Sequence, residues 1–460
     1  MKILVVGGDA AGMSAASQAL RAAKSRDRAV AVTVLEATQH TSYSACGIPY
    51  WIAGDVPSGD DLVARTAAEH REAGIDLRLG ARAVDLDRGR REVTYEAEGG
   101  ATTVLEYDEL VLATGAHPHL PDWARADDGR LVGGVLPVKN LDDGTRWLDL
   151  LATDGDDEGK HAVIAGGGYI GVEMAEALLR RGYRTTLVTR SVVMGSFDDE
   201  LTPRITDGLA DAGVDVHAGT TVLGLDHDGG RVRAVTTSAG DALPADVVVL
   251  ALGVEPATEL GAAAGLEIGR RGGYLPDPGG RIAPGVWAAG DCCEVIHRLT
   301  GERDLLALGT HANKLGRVVG DNLLGDNHTF GGALGTAITR FVAGGVHLEM
   351  ARTGLSDQAA QAAGHEVAAL VTESTTTSGY MPDAAPMATK VLADRASRAL
   401  LGVQIVGGPG AGKRVDAAAA ALWGGLTVDD LAGMDLAYAP PFATVWDALQ
   451  IAARRLAERM

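Results

Sequence analysis

Residues 3–23, ILVVGGDAAGMSAASQALRAA, and residues 162–182, AVIAGGGYIGVEMAEALLRRG, share one pattern. Each begins with a short apolar run, continues through a glycine-rich turn and ends in an amphipathic helix pattern. A second apolar run follows each copy, at 29–37 and at 184–190. This strand–turn–helix–strand order is typical of a dinucleotide-binding unit built on parallel strands. The repeat therefore predicts an α/β chain with two such units.

The second copy carries an intact GxGxxG motif between its strand and its helix. The glycines permit a tight turn and let the backbone approach a pyrophosphate, while the start of the helix offers free N–H groups. After the next strand, Thr189 and Arg190 stand where an acidic residue would hold the ribose of NAD, which favours NADPH. Alternatively, Arg190 is a surface arginine with no such role. We predict an NAD(P)H site formed by Gly166, Gly168, Tyr169, Ile170, Gly171, Thr189, Arg190 and Gly253.

The first copy keeps Gly7 and Gly12 but has Asp9 at the middle glycine position. Two placements of the Asp9 carboxylate are open: it faces phosphate at short range, or it points to solvent. Glu36 ends the second strand of this unit, where an acid accepts hydrogen bonds from ribose hydroxyls. The first unit therefore also predicts an adenosine-containing nucleotide.

Composition excludes several classes of function. The chain of 460 residues has 41 basic and 61 acidic residues, a formal net charge of -20, which argues against a nucleic-acid surface or an anionic membrane as the main partner. Its three cysteines are too few for a disulfide framework, and no metal site is predicted. The N-terminus does not resemble a secretory signal, and no apolar run reaches the roughly 18 residues of a membrane span. We expect a cytoplasmic protein.

The organisation along the chain predicts three domains. Buried strands that end in Gly and Pro at 107–118 and 245–256 mark the exits from the two units, and an acidic loop at 154–160 precedes the second unit. After about residue 330 the pattern changes to antiparallel strands with helices. The predicted limits are 1–120 with 255–328 for the first domain, 121–254 for the second and 330–460 for the third.

Cys46 lies in the segment SYSACGIPYWIAG at 42–54, and Trp51 occupies the place of a second cysteine of a dithiol pair. Gly47 and Pro49 suit the opening of a helix. Because a thiol at a helix N-terminus is more acidic, we expect a lowered pKa and a nucleophilic thiolate. The alternative is a buried small apolar residue. Cys292 and Cys293 are expected to be such residues.

These features resemble the pyridine nucleotide–disulfide oxidoreductases along essentially the whole chain, and LATGAHP (112–118), ALGVEP (251–256) and AAGD (288–291) add to the resemblance. SYSACGIPY is similar to the single-cysteine branch and most similar to coenzyme A disulfide reductases. The resemblance implies two Rossmann-like domains, for FAD and NADPH or NADH, and a C-terminal α+β dimerisation domain. It implies FAD contacts from Gly7, Gly8, Ala11, Gly12, Glu36, Ala113, Thr114, Gly115, Gly290 and Asp291.

The resemblance also implies that Cys46 forms a mixed disulfide with coenzyme A or a related small thiol, within a homodimer. Tyr380 and Tyr438, contributed by the partner subunit, would protonate the leaving thiolate. The residues that match positions contacting coenzyme A in relatives are Gln18, Arg21 and Ser42, with Lys413 and Arg414 as further charges for its phosphates.

Three alternatives stay open. The first is a persulfide or polysulfide reductase that uses the same cysteine. The second is an NAD(P)H oxidase, although Ala10 replaces the histidine that oxidases and peroxidases of this branch carry. The third is a non-catalytic flavin redox sensor. The chain departs from the coenzyme A disulfide reductases at Ala45, before the cysteine, and at Met381, after Tyr380, which leaves the identity of the thiol open.

The predicted role of Arg190 can be tested by the substitution Arg190→Ala. Because the guanidinium is expected to hold the 2′-phosphate, the change should raise the KM for NADPH more than the KM for NADH. Steady-state kinetics with both nucleotides measure this, and equal effects on the two KM values would contradict the role.

Overall fold

The computed structural model describes residues 1–153, 159–228 and 230–460. Residues 154–158, most of the acidic loop predicted at 154–160, lie outside the described residues. Within the described part of the chain, every helix is too short or too polar to cross a lipid bilayer.

The strands are β1 Lys2–Val6, β2 Ala31–Leu35, β3 Ile75–Arg78, β4 Ala81–Asp87, β5 Glu92–Ala97, β6 Thr102–Glu106, β7 Glu109–Leu112, β8 Ala116–Pro118, β9 Val135–Pro137, β10 His161–Ala165, β11 Arg184–Thr189, β12 Asp215–Ala218, β13 Val222–Asp228, β14 Arg231–Thr237, β15 Ala242–Pro244, β16 Val247–Leu250, β17 Val254–Pro256, β18 Arg281–Ala283, β19 Val286–Ala288, β20 Val295–Ile296, β21 Arg303–Asp304, β22 Ala337–Ala343, β23 Val346–Gly354, β24 Val367–Thr375, β25 Pro386–Asp394 and β26 Leu400–Gly407. The α-helices are α1 Ala10–Ser25, α2 Ile48–Ala53, α3 Ala67–Glu72, α4 Leu141–Thr153, α5 Tyr169–Arg180, α6 Thr202–Asp211, α7 Glu259–Ala263, α8 Gly309–Asn322, α9 Asp357–Ala362, α10 Val415–Trp423, α11 Val428–Gly433 and α12 Ala448–Ala457.

The two repeated units form two sheets that each contain five parallel strands, and the first sheet has in addition β18, which runs antiparallel to β19 at its edge. In the first sheet, of order β18-β19-β7-β1-β2-β3, β1 runs parallel to both β2 and β7. In the second, of order β12-β11-β10-β16-β9, β10 runs parallel to both β11 and β16. Apart from the half-buried His161 at the start of β10, the central strands β10 and β16 are apolar and buried, as expected for parallel strands that are covered on both faces.

The glycine turns repeat at atomic detail. A Cβ on Gly7 would lie 2.0 Å from the carbonyl oxygen of Ala113, and one on Gly166 would lie 2.1 Å from that of Ala251. Both glycines have positive φ, at 107° and 114°. Each turn thus needs glycine at the point where the chain leaves its first strand and passes the backbone carbonyl that follows the neighbouring strand.

The chain passes between the two sheets twice, and the two passages pair as the short antiparallel strands β8 and β17. The third sheet is antiparallel, of order β22-β23-β26-β25-β24, and its central strand β26 is buried along its whole length. This architecture confirms the predicted fold class. The domain limits stay predictions, and the first sheet draws its strands only from 2–112 and 281–288.

A buried cation joins the second unit to the third sheet. Lys390 on β25 has a fully buried side chain, and its ammonium lies 3.0 Å from Asp198 and 2.8 Å from Glu200, with Asp357 in closer contact. Gln404 on β26 donates a further hydrogen bond to Asp198. Because an ammonium leaves water at high cost, this set of carboxylates is what permits its burial.

The substitution Lys390→Ala should lower stability by about 3 kcal/mol, because it leaves clustered carboxylates without their cation. Urea unfolding followed by circular dichroism measures the change. Lys413→Ala, which removes an exposed lysine paired with Asp416, is the matched control and should leave the unfolding midpoint unchanged. Equal midpoints for the two variants would contradict this role.

Candidate functional site

The predicted FAD residues meet at one edge of the first sheet, at the carboxyl ends of its parallel strands. Gly7 and Gly8 follow β1, Glu36 follows β2, 113–115 follow β7 and 289–291 follow β19. Ligands of open α/β sheets bind at this edge. Gly290, with a φ of 96°, packs so closely on Ala11 that a Cβ there would lie 2.9 Å from the Ala11 side chain.

Glu36 and Asp9 are both fixed by backbone donors. The N–H of Gly8 donates to the Glu36 carboxylate at 2.8 Å, and the N–H of Thr38 donates to its other oxygen at 2.8 Å. Asp9 accepts from the N–H of Tyr43 at 3.3 Å, so its carboxylate turns toward the loop before Cys46 rather than to solvent. Burial, with a contribution from Glu36, raises the pKa of Asp9 to about 6.

The predicted NAD(P)H residues meet at the equivalent edge of the second sheet. Gly166 follows β10, and Gly168 precedes α5 with open space beside it where a Cβ would lie. Thr189 ends β11 and is buried, whereas Arg190 is exposed. The structure thus brings the predicted residues together and leaves Arg190 at the surface next to the turn.

Cys46 lies in a short 3₁₀ turn, Ala45–Gly47, that leads directly into α2. The residue is exposed, whereas Cys292 and Cys293 are buried, as expected. Trp51, in the place of a second cysteine, packs against two other segments: a Cβ on Gly144 would lie 2.6 Å from its ring and one on Gly59 2.7 Å. Cys46 is therefore a single accessible thiol.

The expected lowering of the Cys46 pKa is wrong for this structure. Although the residue is exposed, neighbouring atoms partly desolvate the sulfur, which raises the pKa of Cys46, and the negative charges of Glu173 and Asp291 raise it further. Lys139, whose ammonium lies 3.2 Å from Asp291, acts in the opposite direction. The helix that follows Cys46 has six residues, and its effect is outweighed by burial and by these carboxylates.

Glu173, from the second unit, acts on Cys46 through its charge. It lies on α5 and accepts a hydrogen bond from Thr339 on β22 at 2.8 Å. Burial raises the pKa of Glu173 to about 7, with a smaller contribution from Glu176. The carboxyl group can therefore gain or lose a proton near neutral pH beside the thiol.

Further contacts hold α5 between α2 and β22. Arg180, at the end of α5, forms two bonds to Asp55, at 2.7 and 2.5 Å, and Arg340 approaches the same carboxylate at 3.2 Å. Glu176 accepts from the N–H of Val342 at 2.7 Å. The three domains thus meet along the helix that carries Glu173.

Tyr380 and Tyr438 lie on the surface of the C-terminal domain, 75% and 46% exposed. Their loops are joined where the N–H of Ser378 donates to the carbonyl of Pro440 at 2.9 Å. Their predicted catalytic roles stay predictions.

The predicted thiol-binding residues form three groups. On α1, Arg21 donates a hydrogen bond to the side-chain oxygen of Gln18, and the amide nitrogen of Gln18 donates to Asp321 on α8 at 2.6 Å. Ser42 contacts His70, with 2.8 Å between Oγ and Nε2. Lys413 is exposed and pairs with Asp416.

Arg414 holds loops together within the C-terminal domain. Its guanidinium donates to Asp447 at 3.0 Å and to the carbonyl oxygens of Gly410, Thr376 and Phe442. These internal bonds give it a structural role, and a contact with a substrate phosphate stays a prediction.

Three residues of the site escaped the sequence reasoning: Glu173, Lys139 and His70. Glu173 had a signal, because Tyr169, Glu173 and Glu176 follow helical spacing and share one face of the helix. Lys139 and His70 had none, since their contacts join segments far apart in sequence.

The residues of the first edge fit FAD. The Gly7–Gly8 turn is a cradle that a Cβ would fill, and the Glu36 carboxylate stands beside it at the end of β2. Asp291, at the same edge, lies close enough to Cys46 for its charge to raise the pKa of the thiol.

Comparison with known proteins agrees with this geometry. The family described as pyridine nucleotide-disulphide oxidoreductase matches residues 1–315, and its dimerisation domain matches residues 345–449. The NAD(P)H coenzyme A polysulfide/persulfide reductase of Pyrococcus horikoshii is 36% identical over 459 residues, which cover 99% of this chain and 98% of that one.

Solved structures are similar over the same length. An NAD-dependent persulfide reductase from A. fulgidus has a TM-score of 0.92 and 31% identity, covering 100% of this chain and 83% of that one. An engineered water-forming NADPH oxidase, derived from the Lactobacillus brevis NADH oxidase, has a TM-score of 0.90 and 25% identity, covering 100% of both chains.

The effect of Glu173 on the thiol predicts how Cys46 alkylation depends on pH. The raised pKa means that the thiolate fraction, and with it the iodoacetamide rate, is low at neutral pH and rises with pH through that pKa. Glu173→Gln removes one of the charges that raise the pKa, so the profile should move to lower pH and the rate at pH 7 should increase. Glu267→Gln, at an exposed position, is the control, and identical profiles for both variants would contradict the coupling.

Proposed function

The chain belongs to the pyridine nucleotide–disulfide oxidoreductase family and is an NAD(P)H-dependent flavoprotein oxidoreductase, and from this premise we propose that it reduces sulfur–sulfur bonds carried by coenzyme A, with coenzyme A persulfide as the preferred substrate. The observation that carries the proposal is the single accessible thiol at Cys46. Since Trp51 replaces a second cysteine, Cys46 must take its partner sulfur from a substrate. The relative in Pyrococcus horikoshii, a coenzyme A polysulfide/persulfide reductase, supports the persulfide.

In the proposed reaction, the Cys46 thiolate attacks the sulfur of coenzyme A persulfide that is bonded to carbon. A Cys46–coenzyme A disulfide forms, the sulfur–sulfur bond of the persulfide breaks, and hydrosulfide leaves. When bound, FAD supplies the two electrons of NAD(P)H to this disulfide. Cys46 and coenzyme A are then thiols again, and the balance is one persulfide and one NAD(P)H with a proton converted to thiol, hydrogen sulfide and NAD(P)⁺.

Glu173 is the residue proposed to manage the proton at Cys46. The Cys46 thiolate and the Glu173 carboxylate each disfavour the other's negative charge. Because the pKa of Glu173 is raised only to about 7 while that of Cys46 is raised above the ordinary thiol range, Glu173 loses its proton before Cys46 does, and its carboxylate is proposed to accept the proton of the thiol as the thiolate forms. Lys139 favours the charged form of Cys46.

A second copy of the chain is proposed to complete the site. Phe442 is 75% exposed, Val445 68% and Trp446 46%, next to Tyr380 and Tyr438 on the domain that matches the family's dimerisation domain. An exposed apolar surface of this kind is typical of a protein interface. The tyrosine hydroxyls would then act across it, as acids toward the departing sulfur. We also propose a cytoplasmic location, where a reducing environment would keep Cys46 free of unrelated disulfides.

NADPH is the proposed electron donor. The engineered NADPH oxidase carries Ala, Arg and Ser at three successive positions where its parent had Asp, Ala and Met. This chain has Thr189, Arg190 and Ser191 where β11 ends, again without an acid and with an arginine. The exposed Arg190 suits the 2′-phosphate.

Coenzyme A disulfide is the second candidate substrate. In coenzyme A disulfide both sulfurs carry coenzyme A, so the group that leaves is as large as the group that stays on Cys46. The exposure of Cys46 in the chain favours access for such a substrate. Oxygen is disfavoured as an acceptor because Ala10 supplies no acid–base group. The two tyrosines proposed as acids, Tyr380 and Tyr438, speak against a non-catalytic redox sensor.

The substitution Cys46→Ser should lower turnover of coenzyme A persulfide by about a thousandfold or more, because the hydroxyl cannot form the mixed disulfide. NADPH consumption and hydrogen sulfide release measure it, with coenzyme A disulfide and oxygen as parallel acceptors. Cys292→Ser, at a buried cysteine, is the control. Full persulfide turnover by Cys46→Ser, or faster turnover of oxygen than of both sulfur substrates by the wild type, would contradict the proposal.

A further inference from the structure

A histidine outside the predicted site contacts the loop that carries Cys46. His70, on α3, is 2% exposed, and its Nε2 lies 2.8 Å from the Oγ of Ser42, four residues before Cys46. The other ring nitrogen, Nδ1, is buried and has no hydrogen-bond partner among the described residues. Ser42 itself has a φ of 49°, in the left-handed region that few residues other than glycine adopt.

The burial of His70 determines where its proton lies. Burial lowers the pKa of His70, Arg65 lowers it further and Glu69 acts in the opposite direction, so the ring is neutral at neutral pH and has one N–H. With the proton on Nδ1, a buried N–H would lack an acceptor, which is rare in proteins. With the proton on Nε2, the N–H donates to Ser42 Oγ. The second tautomer is therefore the one that the structure favours.

This tautomer fixes the role of the Ser42 hydroxyl. Its oxygen accepts from His70, so its own O–H is left to donate to another group. Ser42 is half-buried, and its carbonyl accepts from the N–H of Ala64 at 2.8 Å, which holds the backbone in place. The Ser42 hydroxyl is thus oriented to donate a hydrogen bond from the loop that carries the reactive thiol.

We propose that His70 is a positioning residue for the thiol substrate, and that it sets the Ser42 hydroxyl to donate a hydrogen bond to an acceptor oxygen on the arm of the thiol joined to Cys46. The acceptor is an amide carbonyl or a phosphate oxygen, the two kinds that coenzyme A carries. The inference rests on the proposed function, in that Cys46 forms a mixed disulfide with this thiol.

The test is the equilibrium of thiol exchange at Cys46, which needs no turnover. Wild-type and variant holoenzymes are incubated with defined ratios of thiol to disulfide for coenzyme A, pantetheine and cysteamine, and intact mass spectrometry measures the fraction of Cys46 in mixed disulfide. Cysteamine has neither an amide nor a phosphate, pantetheine has amides only, and coenzyme A has both.

His70→Leu should lower the exchange equilibrium constant for coenzyme A by about fivefold or more, the effect of a lost hydrogen bond, and leave that for cysteamine unchanged. His70→Gln should restore binding, because its amide can donate to Ser42. A loss shared by pantetheine assigns the acceptor to an amide carbonyl, and a loss confined to coenzyme A assigns it to a phosphate.

Ser42→Gly relieves the left-handed backbone and removes the hydroxyl, so it should reproduce the loss, and adding His70→Leu should cause no further change. Glu72→Gln, at an exposed position on α3, is the control. An equal loss with cysteamine, or no loss with coenzyme A, would overturn the role of His70 while the proposed function stands. A wild type that forms no adduct with any of the three thiols would overturn both.

Discussion

The position of α5 between α2 and β22 is the constraint on which the site depends. Two hydrogen bonds from Arg180 to Asp55 join the nucleotide-binding helix α5 to the segment after Cys46. Arg340 pairs with the same carboxylate and so joins both to the C-terminal sheet. Thr339 holds Glu173 from the same strand. Because these contacts hold one helix between two domains, a carboxyl group from the second unit is held within electrostatic range of a thiol from the first.

This arrangement gives the thiol an unusual electrostatic environment. A lone nucleophilic cysteine is commonly expected to gain acidity from a helix, but here burial and two carboxylates oppose its ionisation and outweigh Lys139 and the backbone N–H of Cys46, which favour it. The ionisation of Cys46 is consequently coupled to the charge of Glu173. The packing of the domains that positions Glu173 thus also contributes to the raised pKa of Cys46.

The sequence sufficed for the fold because its signals are local. The two glycine turns decide their own conformation, since Gly7 and Gly166 each pass a carbonyl oxygen with no room for a side chain. The single thiol was equally readable, from Trp51 in the place of a second cysteine. The raised pKa of Cys46 and the internal bonds of Arg414 were not, because both arise from contacts between segments distant in sequence. The placement of the Asp9 carboxylate could not be predicted for the same reason, because its hydrogen-bond donor is the backbone N–H of Tyr43, 34 residues away in sequence.

The central claim is that Cys46 takes its second sulfur from coenzyme A. The most direct measurement is peptide mass spectrometry of the holoenzyme after incubation with coenzyme A disulfide or persulfide, before and after anaerobic addition of NADPH. The account predicts one coenzyme A on the peptide that contains Cys46, released as free thiol when NADPH is added. A Cys46 that stays unmodified, or that carries only oxidised sulfur after exposure to oxygen, would contradict it.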